Sequence, residues 1–223
     1  MKRVVKLLIL LCFVLCFGAG HSAKAEEEVV RLTIFSDGSG GDYFGEGTHA
    51  FLYFENITSR RQFNILGVVI NPGNGITVGT WGNRNCGKGI YINIEAYLIK
   101  ENGSYAPRVS LSINLTERQL TKAIQMMEKN NKWTKTQNCS WFASKVWNEV
   151  CPADMKVSAG SVISTPASLS KSIKKKTGYQ TRASVQKAYL HAAEMMRIYA
   201  DKTKKPVSSS SVKSSSSGSG SSS

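Results

Sequence analysis

The chain has 223 residues, and its 29 Lys and Arg against 15 Asp and Glu give a formal net charge of +14. A hydrophobic fraction of 41% is enough for a folded core, and five cysteines are too few for a fold built mainly on disulfides. The charge suits anionic partners, but the sequence has no basic-aromatic motif of the kind that binds nucleic acid.

The first 25 residues have the pattern of an export signal. Residues 1–6 are basic, 7–17 form an apolar run too short to cross a bilayer, and 23–25 (Ala-Lys-Ala) fit a cleavage site. We therefore predict a signal peptide over 1–25, a secreted or envelope protein, and no transmembrane segment after cleavage. Cleavage would remove four basic residues and no acidic one, which leaves a net charge of +10.

Alternating apolar and polar residues predict that the first half of the chain is rich in β-structure. A short strand is expected at 29–35, and five further strands, separated by polar or Gly-rich turns, are expected at 48–56, 63–70, 76–81, 89–99 and 108–115. We expect an antiparallel sheet of about five strands.

The second half has helical periodicity. Thr116 and Gln119 have the spacing of a capping box, and apolar residues follow at helical intervals. Further helices are predicted from Cys139 to about residue 150, at 168–176 and at 183–200. The predicted fold class is α+β, with the helix that begins at Cys139 packed on the sheet. One domain is expected over 26–206, followed by a disordered, Ser-rich tail over 207–223.

Cys139 is the candidate nucleophile because it lies where a polar loop becomes a helix. A thiol at a helix N-terminus is close to the positive end of the helix dipole, and this position favours the reactive thiolate. The backbone N–H of Cys139, assisted by Asn138, is expected to bind the oxyanion that forms on the substrate.

A thiolate nucleophile needs an imidazole base. The chain has three histidines, and one of them, His21, lies in the predicted leader. His49 is the preferred base because it begins a strand beside a Gly-rich loop that can leave space for a substrate. His191, in a predicted helix, is the alternative.

The group that orients the imidazole should lie on a strand beside His49. Folding the predicted hairpin of 48–56 and 63–70 about its turn places Asn64 nearest to His49, with Gln62 as the second choice. An amide oxygen at that position can accept the imidazole N–H and select its tautomer. Trp81, flanked by glycines, is either a substrate-lining residue or a ring packed over the edge of the core.

The remaining cysteines and histidines suggest no other site. Three cysteines follow the predicted leader, so at least one is unpaired within the chain. If Cys139 is catalytic, Cys86 and Cys151 are candidates for a disulfide, which their spacing does not decide. Two distant histidines do not make a zinc-binding pattern, and neither a metal nor another cofactor is expected.

The order of the site residues resembles that of a known family. His49 precedes Cys139, the reverse of the order in papain and ordinary NlpC-type peptidases. The runs around them are similar to those of the circularly permuted NlpC/papain-like superfamily, which includes lecithin:retinol acyltransferase-like enzymes: Gly47-Thr48-His49-Ala50-Phe51 and Asn138-Cys139-Ser140-Trp141-Phe142-Ala143.

Two further runs, 79–83 (Gly-Thr-Trp-Gly-Asn) and 89–97 (Gly-Ile-Tyr-Ile-Asn-Ile-Glu-Ala-Tyr), resemble an uncharacterised secreted bacterial branch of that superfamily. The similarity covers about 32–179. It implies that Cys139 is the nucleophile and His49 the base. The acyltransferase branch usually has a second histidine at the third position, and this chain lacks it.

These observations predict a secreted cysteine hydrolase, a peptidase or amidase that cleaves an amide or peptide bond in the cell envelope. Cell-wall peptides are the expected substrate. Two alternatives remain. One is a lipid acyl hydrolase or acyltransferase of the same fold, and the other is an envelope-binding protein without catalysis. No nucleic-acid partner is expected.

Overall fold

A computed structural model describes residues 26–39, 48–82, 88–191 and 196–198, with side chains described as far as residue 188. The predicted leader (1–25) and the predicted Ser-rich tail (207–223) lie outside these ranges. No helix within them is long and apolar enough to span a bilayer.

The centre of the fold is a seven-stranded sheet in which every pair of neighbouring strands is antiparallel. The strands are β1 (Glu28–Asp37), β2 (His49–Asn56), β3 (Phe63–Ile65), β4 (Val68–Ile70), β5 (Gly75–Trp81), β6 (Gly89–Ile92), β7 (Val109–Thr116), β8 (Gln180–Thr181) and β9 (Met196–Ile198). The order in the main sheet is β8-β7-β1-β2-β5-β6-β9, and β3 and β4 form a separate hairpin.

Helices and strands together confirm the predicted α+β class. The α-helices are α1 (Ile94–Asn102), α2 (Glu117–Lys129), α3 (Cys139–Val150) and α4 (Pro166–Lys174), and two short 3-10 turns cover Ala153–Met155 and Gln186–His191. Helix α3 packs across β1, β2 and β5, so the predicted packing of the Cys139 helix on the sheet is also present.

The two faces of the sheet bury different side chains because strand residues alternate between them. One face and the helices α2, α3 and α4 enclose an aliphatic core that includes Leu52 and Phe142. The other face carries a more aromatic cluster, in which Phe51 and Trp81 pack against the start of α1. Helix α3 and helix α1 therefore approach the central strands from opposite sides.

Three predicted elements differ from the structure. The 89–99 strand ends at Ile92, because Asn93 adopts a left-handed conformation (φ 61°) and α1 follows it directly. The 63–70 strand is instead the hairpin β3–β4, which turns at Leu66 and Gly67, both with positive φ. The long helix predicted at 183–200 is wrong: Gln186–His191 is a short 3-10 turn, and Met196–Ile198 pairs with β6, whose edge would otherwise lack a backbone partner.

The capping box at the start of α2 is confirmed. The Gln119 N–H donates to the Thr116 hydroxyl, and the Gln119 side chain accepts from the Thr116 N–H. Both bonds satisfy backbone donors that the helix leaves without partners, and they secure the junction between β7 and α2.

Replacing Thr116 with Ala should lower the free energy of unfolding by about 1 kcal/mol, because the cap is lost while the helix itself is unchanged. Thr121→Ala is the matched control. Its hydroxyl donates only to the Glu117 carbonyl within the same helix, and Ala is the better helix former. Urea unfolding measures both variants; equal stability of the two would contradict a structural role for the cap.

Candidate active site

Helix α3 begins at the predicted nucleophile, and Asn138 is its N-cap. The Asn138 side-chain oxygen accepts from the N–H groups of Ser140 (3.0 Å) and Trp141 (3.2 Å). Its side-chain nitrogen donates to the carbonyls of Lys135 (3.2 Å) and Ser164 (2.6 Å). The fully buried Asn138 thus holds two loops against the start of the helix.

These bonds correct the prediction that the Asn138 side chain assists in binding an oxyanion. Both hydrogens of its amide group are already donated to carbonyl oxygens, so it has none left for a substrate. The N–H of Cys139 is not bonded to the capping oxygen. That backbone N–H therefore stays the expected donor to a developing negative charge on the substrate.

His49 is the first residue of β2, and its Nε2 lies 2.9 Å from Oε1 of Glu95. His49 is 4% exposed and Glu95 is fully buried, so this bond is shielded from water. Since Nε2 faces the carboxylate, Nδ1 is the ring nitrogen that remains for Cys139. Glu95 therefore has the place that the sequence analysis gave to Asn64.

Asn64 lies elsewhere because 63–70 folds on itself. In β3 it pairs with Val69, its side chain is exposed, and its oxygen accepts the Gly67 N–H across the turn. Gln62 is exposed as well and donates to the Asn71 side chain. The strand that pairs with β2 on this side is β5, so neither amide lies on the strand beside His49.

The Glu95 carboxylate is held by two donors besides His49. The Thr77 hydroxyl donates to Oε2 (2.9 Å), and the Trp81 indole N–H donates to Oε1 (2.8 Å). Gly79 lies between these two residues on β5. A Cβ on it would be 2.1 Å from Glu95 Oε1 and 2.9 Å from His49 Nε2, so the pair fits only over a glycine.

Trp81 contacts the base as well as the carboxylate. Its ring centroid is 4.1 Å from that of His49, with 33° between the two planes. Phe51 and Tyr105 lie near the other parts of the imidazole, at 6.1 Å and 5.8 Å between centroids. Trp81 is 9% exposed, so its described contacts are those of a residue that positions His49. Its predicted contact with substrate stays a prediction.

The thiol and the imidazole interact directly. Burial lowers the pKa of His49, but the charge and hydrogen bond of Cys139, followed by those of Glu95, outweigh burial and raise this pKa to about 9. Burial raises the pKa of Cys139, whereas the charge and hydrogen bond of His49 and bonds from the Ala50 N–H and Ser140 lower it below its ordinary value. The two shifts favour a thiolate–imidazolium pair near neutral pH.

The other candidate residues do not join this site. Cys151, at the end of α3, has no disulfide partner among the described residues, and Cys86 lies outside them, so the suggested disulfide stays a prediction. The side chain of His191 also lies outside them. Within the described ranges, no group of three or more His, Cys, Asp or Glu side chains is arranged to hold a metal ion.

Glu95 was not identified from the sequence, although a signal was present. It is the only charged residue in the apolar run 89–99, and a lone carboxylate in such a run needs buried partners. Its position was hidden because the run alternates like a strand, whereas Asn93 turns the chain so that α1 presents Glu95 to β5.

Comparison of the chain with protein-family models, curated proteins and solved structures finds no match. The similarity to permuted NlpC/papain-like proteins therefore stays a prediction from the motifs.

The two described thiols should label with iodoacetamide at very different pH values. Cys139 should react well below pH 8, because a thiolate forms above its lowered pKa and His49 stays protonated up to about pH 9. Burial raises the pKa of Cys151 to about 11, so this residue is an internal control that labels only in strong alkali. Residue-resolved mass spectrometry measures both; parallel profiles would contradict the ion pair.

Glu95→Gln should shift the labelling profile of Cys139 to higher pH. The amide can still accept a hydrogen bond, but it removes the charge that stabilises the imidazolium. A one-unit rise in the pKa of Cys139 would slow labelling below that pKa about tenfold. Glu55→Gln, a buried carboxylate on the same strand as His49, is the matched control. Equal profiles for both variants would show that Glu95 does not act on the thiol through His49.

Proposed function

We propose that the protein is a cysteine hydrolase that cleaves an amide or peptide bond in the cell envelope. The observation that carries this proposal is the buried arrangement of Cys139, His49 and Glu95, in which Cys139 and Glu95 stabilise the imidazolium of His49 and His49 stabilises the thiolate of Cys139. A helix start, an imidazole and an orienting carboxylate are the parts that thiol-based acyl transfer requires.

In the proposed reaction, the Cys139 sulfur attacks the substrate carbonyl carbon and the carbonyl π pair moves to oxygen. The resulting oxyanion is stabilised by the Cys139 N–H at the start of α3. Collapse of the intermediate breaks the C–N bond, and the imidazolium of His49 gives its proton to the leaving amine. His49 then takes a proton from water, which attacks the thioester and releases the carboxylic acid and the thiolate.

Glu95 orients the imidazole throughout this cycle and touches no reacting atom. Its bond to Nε2 selects the neutral tautomer that carries the proton on Nε2, and it orients the ring so that Nδ1 faces the sulfur. Its charge compensates the imidazolium. Trp81 and Thr77 support it by donating to its two oxygens. The base is therefore rigid before a substrate arrives, which reduces the entropy cost of reaching the transition state.

An envelope peptide is the proposed substrate class. The support is the predicted export signal, the net positive charge, and the resemblance of the runs around His49 and Cys139 to permuted NlpC/papain-like enzymes. A polycationic protein concentrates at the anionic polymers of an envelope, where such peptides are found.

Amine release from cell-wall peptide fragments should be measurable for the chain that begins at Glu26. Cys139→Ala should lower kcat/KM by at least about a thousandfold, since no other group supplies the nucleophile. Cys151→Ala should leave kcat/KM unchanged and is the matched control. Full activity of Cys139→Ala would end the proposal. Release of fatty acid from ester lipids without release of amine would favour the lipid acyl hydrolase instead.

A further inference from the structure

Two aliphatic side chains are exposed beside the start of the nucleophile helix. Val162 is 87% exposed and Ile163 is 50% exposed, and both lie on the loop that leads into α4. A partner that covers adjoining exposed aliphatic residues removes their apolar surface from water, which is favourable. Because both side chains lie close to the start of α3, a partner that covers them would also lie close to Cys139.

The loop that carries them is held firmly. The Thr165 N–H donates to the Ala159 carbonyl at 2.8 Å and closes the loop. Ser164 follows Ile163, and its backbone carbonyl accepts a hydrogen bond from the Asn138 side-chain nitrogen at 2.6 Å. Because Asn138 directly precedes Cys139, the exposed pair is fixed a few residues away from the nucleophile.

A basic loop lies on the other side of the same cap. Asn138 also donates to the carbonyl of Lys135, an exposed residue. In that loop the half-buried Trp133 ring lies against Gly82, the residue after Trp81, and Lys88 Nζ is 5.8 Å from the ring centroid. We name Lys88, Trp133, Lys135, Val162 and Ile163 together the rim patch.

The polar loop before Asn138 is basic. Residues 130–138 contain Lys132 and Lys135, both exposed, and no Asp or Glu, and Lys88 lies over the Trp133 ring of the same loop. An anionic partner is therefore complementary in charge to this side of the protein.

We propose that the rim patch docks the protein on an anionic lipid bilayer, with Val162 and Ile163 inserted among the acyl chains. Lysines near such a surface are attracted to acidic headgroups, and aliphatic and Trp side chains insert at the interface. A soluble anionic polymer satisfies the lysines but gives the two aliphatic side chains no apolar surroundings. Docking would bring the start of α3 to the bilayer surface.

This inference does not depend on catalysis, so every binding measurement uses the Cys139→Ala background. The chain from Glu26 contains all the described residues and lacks the apolar run 7–17, which would bind lipid by itself. Co-sedimentation with vesicles of phosphatidylglycerol and phosphatidylcholine in equal parts gives the partition coefficient. Vesicles of phosphatidylcholine alone should bind much more weakly, since they carry no net charge.

Val162→Ser with Ile163→Ser should lower the partition coefficient about tenfold, the loss expected when two aliphatic side chains no longer insert. Val69→Ser is the matched control, because Val69 is 48% exposed but lies in the β3–β4 hairpin. Lys135→Gln should lower binding about fivefold and leave binding to neutral vesicles unchanged. All four positions are exposed, so thermal unfolding should be unaffected.

Three results would overturn docking on lipid. The double serine variant could bind the anionic vesicles as well as the parent, or Val69→Ser could lose as much binding as the double variant. Binding to soluble heparin with none to the vesicles would assign the patch to a polyanion. Peptide hydrolysis by the unmodified chain is assayed separately, so loss of the membrane inference and loss of the proposed activity are distinguishable.

Discussion

The hydrogen bond between His49 Nε2 and Glu95 Oε1 is the interaction on which the rest of the site depends. A buried carboxylate is costly unless it is paired and fully bonded, and Glu95 accepts from an imidazole, an indole and a hydroxyl. The left-handed turn at Asn93 and the missing side chain at Gly79 make sense as requirements of this bond. The turn brings α1 to the sheet, and the glycine leaves room for the pair above β5.

The nucleophile reaches this pair from the opposite face of the sheet. Helix α3 packs on the aliphatic face, whereas His49 belongs to the face that carries the aromatic cluster. The two meet where β2 begins, and there the Ala50 N–H bonds to the Cys139 sulfur. The start of α3 must therefore be placed accurately, and the buried Asn138 does this by capping the helix and holding two loops.

Charged groups matter both inside the site and on the surface around the start of α3. Inside, Cys139 and Glu95 raise the pKa of His49, and His49 lowers the pKa of Cys139, in both cases against the effect of burial. Outside, the loop before Asn138 carries exposed lysines and no acidic residue, and the loop before α4 carries two exposed aliphatic side chains. Asn138 connects the surface loops to the buried site, because its side chain bonds to both loops and its backbone leads directly into Cys139.

Sequence alone was sufficient for the features that depend on local chemistry. The α+β class, the capping box at Thr116, the helix that starts at Cys139 and the strand that starts at His49 all follow from periodicity and from residues that act on their immediate neighbours. Tertiary structure decided the partner of His49. Hairpin symmetry favoured Asn64, but 63–70 pairs with itself and β5 occupies the place beside β2. Glu95 reaches the imidazole only because one left-handed residue, Asn93, ends the apparent strand and begins a helix. That turn depends on packing across the sheet, which the local sequence does not specify.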